Sequence, residues 1–315
     1  MLTKSIKLLS FKKKISEKKI KTKLKLILNN KTELFKSLSK KYVDKYEINK
    51  IKKIVGKNDV RLIGMGGSIL GSQAIYGFLK DKIKKNFFFI NNLYKNKNKN
   101  KKKVTNLIIS KSGNTLETIT NVNIFVKKIE KNIFITENKS SYLRNLAYKL
   151  KSEILDHNNF IGGRYSVLSE VGMLPAELMG LDPKKFRQFD SLIKNKKFLD
   201  LLIKNTSSIF YFSKKKKFNS IILNYDEKSK YLFQWYQQLV AESLGKKGKG
   251  FLPAISNMPK DNHSVMQLYL DGFKNNFFTF FFCSEKKAER LIKNNLLNSH
   301  KLSLIHISEP TRRTP

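Results

Sequence analysis

Two glycine- and hydroxyl-rich stretches carry the first recognisable chemistry in this 315-residue chain. GMGGSILGS, residues 64–72, sets Gly66, Gly67 and the hydroxyl of Ser68 between an apolar run and a helical segment. Glycines let backbone amides approach an anion, and the start of the following helix adds partial positive charge. SKSGNTLET, residues 110–118, repeats the setting, with hydroxyls on Ser110, Ser112 and Thr115, amides at Lys111 and Gly113, and Asn114 in the turn. Hydroxyls and amides at a helix start form a cradle for one phosphate dianion. Each loop alone also reads as an ordinary tight turn, the second with Thr115 as its cap. The first loop is not the dinucleotide fingerprint, because Ile69 stands where the spacing from Gly64 and Gly66 needs glycine, and no P-loop lysine follows.

The elements that must position these loops alternate along the chain. Residues 59–65, 87–90, 104–110 and 132–136 read as buried strands, and 72–79, 115–129 and 140–151 as helices. That alternation predicts a parallel sheet covered on both faces, with ligands outside the carboxyl ends of its strands. The low-complexity stretch KNKNKNKKK at 95–103 reads as a solvated loop. The Asp182–Pro183 step marks a boundary, after which 219–225, 228–244 and 277–283 begin the same grammar again, with helix-forming residues at 285–297. The expected architecture is α/β, with two doubly wound parallel-sheet domains. Residues 1–45 form an N-terminal helical segment, 46–182 the first domain and 183–301 a second, incomplete one.

Composition narrows the class. Forty per cent hydrophobic residues, 23 of them Phe, can build a core and exclude wholesale disorder. One Cys excludes a disulfide framework and a cysteine-based zinc site. No apolar run reaches the length of a membrane span, so a soluble, cytoplasmic protein is expected. A net charge of +40 invites a nucleic-acid reading. Only 7 of the 64 basic residues are Arg, however, and base readout favours the Arg fork. Lys is spread along the chain with Asn, Ile and Phe, as in an AT-rich coding bias, so no specific nucleic-acid partner is expected. The positive field would still steer an anionic small substrate.

Both ends call for separate treatment. Residues 1–28 mix Lys with Ile, Leu and Phe and contain no Arg, unlike a transit peptide, and predict a surface helix packed on the domain. LSLIHISEPTR, 302–312, reads as a translated library adapter, so 302–315 are expected to be non-native and the natural sequence to be cut off near Lys301. His306 is therefore no catalytic candidate.

GMGGSILG followed by SKSGNT and, one residue on, ET resembles a sugar-isomerase (SIS) domain. NFIGGRYSVLSEVGMLPAELMG at 159–180, QQLVAESLGKKGKG at 237–250 and HSVMQLYLDG at 263–272 narrow the resemblance to the glucose-6-phosphate isomerase family in its shorter bacterial form, over about residues 58–283. The resemblance implies reversible conversion of D-glucose 6-phosphate and D-fructose 6-phosphate through an enediol, without metal or organic cofactor. Such a reaction calls for a carboxylate base, a ring-opening acid/base, a cation near the enediolate oxygens and a phosphate clamp. By the resemblance, Glu242 shuttles the proton between C2 and C1, and Arg164 stabilises the enediolate. His263 opens the ring from across a homodimer interface. Gln238, one helical turn before Glu242, touches the substrate. Ser68, Ser110, Ser112 and Thr115 hold the phosphate, with Gly67, Lys111, Gly113 and Asn114 around it. Lys111 offers its amide rather than its ammonium, and Glu117 orients the loop.

Two departures stand out. Many members have SKTFTT where this chain has SKSGNT, and the family's C-terminal lysine has no counterpart here, so a chain ending near Lys301 is expected to be impaired. A non-catalytic sugar-phosphate-binding protein would share the phosphate loops, as would an isomerase that also takes mannose 6-phosphate. The joint presence of Glu242, His263 and Arg164 favours an enzyme.

Overall fold

The computed structural model describes residues 17–30, 32–93 and 103–283. The expected helix at 285–297, the tail and nearly all of the lysine-rich loop lie outside the described residues. The chain opens with α1 (Glu17–Asn29), whose inward residues Ile20, Leu24 and Leu28 recur every four positions, the stripe of an amphipathic helix. After α2 (Glu33–Ser37) comes α3 (Ile48–Val55), which buries Ile51 and Val55.

Five strands then build the first sheet: β1 (Asp59–Ile63), β2 (Phe87–Ile90), β3 (Val104–Ile109), β4 (Lys131–Thr136) and β5 (Glu153–Asp156). Their order is β2-β1-β3-β4-β5 and every pairing is parallel. Parallel neighbours need crossovers, supplied by α4 (Leu70–Phe78), α5 (Leu116–Phe125) and α6 (Tyr142–Lys149), with α7 (Glu170–Leu178) following β5. Alternate residues of the central strands serve opposite faces. Leu107, Ile109, Ile133 and Ile135 pack with α3, α4 and α7, whereas Ile108 and Phe134 pack with Val122 of α5 and Leu143 of α6. Both faces are covered, as the alternation of elements predicts.

Helix α5 ends at Phe125, short of the expected 129. Val126 is already extended, and Glu130 closes a turn by accepting the Lys127 amide at 3.2 Å and the Asn106 side-chain amide at 2.8 Å.

Beyond Pro183 the chain forms α8 (Phe189–Ile193), α9 (Lys196–Lys214), β6 (Asn219–Asn224), α10 (Lys230–Leu244), β7 (Leu252–Asn257), α11 (Met266–Asp271) and β8 (Asn276–Phe281). The second sheet is also parallel, in the order β7-β6-β8. Helix α1 packs along α9, and α10 lies against α4 of the first unit. Among the described residues no helix is long and apolar enough to cross a membrane.

The segment before α3 is locked onto α7 by polar contacts. Tyr42 donates to Glu170 at 2.9 Å and Tyr46 to Glu177 at 3.0 Å. Burial first, then the facing carboxylates, pushes both phenols well above their ordinary range, so they stay protonated donors. Arg187, only 2% exposed, reaches back to pair with Asp44.

Candidate active site

The first glycine loop leaves β1 at the carboxyl edge of the sheet and passes through a short 3-10 turn, Gly66–Ser68, into α4. Gly67 has no room for a side chain. A Cβ there would lie 2.2 Å from the Gly163 carbonyl oxygen and 2.7 Å from the Arg164 amide nitrogen. Backbone thus meets backbone, which seats Gly162–Arg164 directly on the first loop. Gly67→Ala is expected to destabilise the chain by about 1–3 kcal/mol through overpacking. Chemical denaturation checks this, and an unchanged midpoint would mean that the two segments can part freely.

The second loop runs from β3 into α5. Gly113 adopts φ +67° and packs so tightly that a Cβ would fall 2.1 Å from the Ser141 hydroxyl oxygen. The loop is folded by its own hydroxyls. Ser110 Oγ accepts the Gly113 amide at 3.2 Å and lies 3.0 Å from Thr115 Oγ1, while Ser112 Oγ accepts the Asn114 amide at 3.2 Å. Thr115 occupies the N-cap position of α5, yet its hydroxyl makes no capping hydrogen bond. The first amides of α5 are therefore not consumed by the side chain expected to cap them.

Two loop residues have partners that explain their chemistry. Asn114 Oδ1 accepts the amide of Tyr142, the first residue of α6, at 2.9 Å, so the residue at the departing position joins two helix starts. The Lys111 ammonium donates to the carbonyls of Asn159 and Ile161 at 2.9 and 3.1 Å and lies 3.4 Å from Glu137. It thereby ties the loop to the chain that leads into Arg164. Burial disfavours ionisation of Glu137, but Lys139 and Lys111 outweigh it and hold the carboxyl below its ordinary value. Ser68 lies in the 3-10 turn of the first loop, and Glu117 is exposed on the first turn of α5.

Helix α10 brings the second unit to these loops. Gln238 leans on the first loop so closely that a Cβ on Gly66 would sit 2.8 Å from its Nε2. The same nitrogen donates to Glu242 Oε1 at 2.8 Å, one turn along the helix. Gln238 Oε1 is buried without a hydrogen-bond partner, an acceptor waiting for a donor. Glu242 Oε2 receives a terminal nitrogen of Arg164 at 3.2 Å, and Arg164 Nε donates to Ser243 Oγ at 3.1 Å. The Tyr165 hydroxyl lies 2.8 Å from the same Ser243 oxygen, and Trp235 Nε1 holds the Arg164 carbonyl at 3.2 Å. Arg164 clings to its proton more firmly than usual, mainly through the Tyr165 hydroxyl and then Glu242.

Arg164, Gln238 and Glu242 therefore form one connected group beside the first loop, with the second loop tethered to it through Lys111. His263 stands apart. It follows the short helical turn after β7 and is exposed, with its amide on the Lys260 carbonyl at 3.1 Å. The hydrogen bonds that join Arg164, Gln238 and Glu242 do not extend to its ring. Sequence reading passed over Tyr165, Trp235 and Ser243, although two of the three are immediate neighbours of motif residues. Among the described residues no cluster of three potential metal ligands forms.

Two parallel sheets, the first with glycine- and hydroxyl-rich loops at its carboxyl edge, give the chain the α/β fold of the sugar isomerases. A hypothetical protein of Thermus thermophilus shares the fold at a TM-score of 0.67 and 20% identity, covering 88% of this chain and 71% of that one. A glucose-6-phosphate isomerase from Chlamydia trachomatis does so at a TM-score of 0.58 and 20% identity, over 78% of this chain and 57% of that one. Residues 15–250 match phosphoglucose isomerase as a family, and the chain belongs to that family, whose members interconvert D-glucose 6-phosphate and D-fructose 6-phosphate. It is 35% identical over 274 residues to the glucose-6-phosphate isomerase of Methanocaldococcus jannaschii, covering 81% of this chain and 68% of the relative. That of Mycoplasmoides gallisepticum is 32% identical over 297 residues, covering 85% and 67%. With 65% of the Acholeplasma laidlawii enzyme also covered, the chain spans about two thirds of the length of the curated relatives it matches.

Proposed function

We propose that this site isomerises D-glucose 6-phosphate and D-fructose 6-phosphate, with Glu242 as the proton shuttle. One observation carries the reading: a carboxylate is held between an arginine and a glutamine, and that glutamine packs onto a glycine loop at the carboxyl edge of a parallel sheet. The phosphate is held by the hydroxyls of Ser68, Ser110, Ser112 and Thr115 and by amides of Gly67, Lys111, Gly113 and Asn114. A proton leaves C2 for Glu242 and returns at C1, while the Arg164 guanidinium meets the charge that develops on the enediolate oxygens. Gln238 Oε1 accepts a sugar hydroxyl. His263 opens the ring in the site of a second copy, so the working form is a homodimer, and its exposure suits a residue offered to a partner. The protein works in the cytoplasm.

Isothermal titration with glucose 6-phosphate, fructose 6-phosphate and free glucose tests the reading. Both phosphates are expected to bind and glucose to fail at matched concentration. Glucose binding as tightly as its phosphate would overturn it. Ser110→Ala removes the hydroxyl that folds the second loop and is expected to weaken glucose 6-phosphate about tenfold, the scale of a hydrogen bond to a charged group. An unchanged affinity would take the phosphate away from this loop. Duplex DNA binding that survives physiological salt would favour a nucleic-acid role instead.

A further inference from the structure

We infer that Ser243 is a positioning residue for the isomerisation, fixing the face that Arg164 turns to the substrate; this rests on the function proposed above. The Arg164 side chain is gripped on three sides. Its Nε edge donates to Ser243 Oγ at 3.1 Å, one terminal nitrogen meets Glu242 at 3.2 Å, and its flat face lies 4.7 Å from the centre of the Tyr165 ring. Tyr165 is also tied by its hydroxyl to Ser243 Oγ at 2.8 Å. A serine hydroxyl has one proton and two lone pairs, enough to accept from the guanidinium and exchange a hydrogen bond with the phenol at once.

The three contacts do not do the same work during the reaction. Glu242 holds Arg164 only while it is a carboxylate, and its side chain is 48% exposed, so this ion pair is a weak anchor. When Glu242 takes the proton from C2 it becomes neutral, and its pull on the guanidinium falls just as charge develops on the enediolate oxygens. Stabilisation of that charge requires a donor already in place. Ser243 itself is uncharged and does not titrate, so its hold on the guanidinium persists through the transfer. Ser243 is also the residue next to Glu242 on α10. One helical turn therefore presents the base and anchors the cation, which sets their separation within a rigid element.

The test reads Arg164 directly. The chain has seven arginines, and the Nε–H resonance of Arg164 is identified by its loss in Arg164→Lys. Ser243→Ala is expected to broaden or abolish that resonance, and Ser243→Thr, which keeps the hydroxyl, to restore it. Calorimetry adds a functional readout. A five-carbon phosphorylated aldonate, whose carboxylate imitates the enediolate oxygens, is expected to bind Ser243→Ala about tenfold more weakly, while inorganic phosphate changes by less than about twofold. An unchanged Arg164 resonance in Ser243→Ala overturns the assignment, and so does an equal loss for aldonate and phosphate, which would mark a merely structural serine. Failure of the unmodified chain to bind the aldonate would strike the proposed function instead, and the resonance still decides whether Ser243 fixes Arg164.

Discussion

Replacing Glu242 by Gln is expected to cut solvent-proton exchange at C2 of the sugar phosphate by about 10²–10⁴-fold, the usual reach of general acid–base catalysis. The change keeps the side chain's shape and removes its basicity. It also removes one acceptor. Glu242 serves Gln238 Nε2 with one oxygen at 2.8 Å and Arg164 with the other at 3.2 Å, whereas an amide has a single oxygen for the two donors. Whichever contact is lost, the second loop, proposed to hold the phosphate, is untouched, because its hydrogen bonds run among Ser110, Ser112, Gly113 and Asn114. Affinity for glucose 6-phosphate is therefore expected to hold within about threefold, the scale of one partly solvated ion pair. Proton NMR in deuterated water reads exchange and calorimetry reads binding. Exchange retained within tenfold of the unmodified chain removes Glu242 from the role of base. A matched loss of affinity would turn it into a binding residue.

The site was legible where chemistry sits in one short stretch and illegible where it depends on distant partners. The two loops announce themselves by hydroxyls and glycines within nine residues, and the structure puts both at strand-to-helix turns of the same parallel sheet. The role of Asn114 could not be read, because its oxygen is taken by an amide 28 residues further on. Lys111 is similar, since the carbonyls it holds lie 48 and 50 residues away. The Arg164–Ser243 contact spans 79 residues and exists only because α10 crosses to the first loop. The strands follow the same logic. Those from β1 to β4 are apolar runs that read directly, whereas β5 is four residues that begin and end with an acid, and β7 carries Pro253. A proline disqualifies a central strand but not an edge one, and β7 is the edge of its sheet. Helix α7 is disguised in the same way by Gly172 and Pro175, both poor helix formers that burial overrides here.

Arg187 gives the largest expected effect on stability. Its guanidinium forms a two-pronged pair with Asp44, one prong at 2.7 Å, donates through Nε to the Leu168 carbonyl at 2.9 Å, and stacks 4.8 Å from the Tyr42 ring centre. Arg187→Ala leaves a carboxylate only 15% exposed without its cation and a carbonyl without its donor, and is expected to cost about 3–5 kcal/mol. Charge rather than volume dominates that loss, so Arg187→Met, which refills the space, should recover little. Adding Asp44→Leu removes the stranded charge and should recover a large part, since buried pairs are often replaceable by apolar residues of similar volume. Denaturant titration of the three variants separates the causes, and a loss below about 1 kcal/mol in Arg187→Ala would show that water reaches Asp44 and that the pair is in effect a surface one. The consequence reaches the site. Leu168 closes the 3-10 segment Gly163–Leu168, which also carries Arg164, so the arginine proposed to face the substrate and the arginine that locks the N-terminal segment hold opposite ends of one short turn. Among the variants that still fold, Arg187→Lys should therefore weaken the aldonate more than inorganic phosphate, because it loosens the turn that carries Arg164 while the hydrogen bonds among Ser110, Ser112, Gly113 and Asn114 in the second loop stay in place.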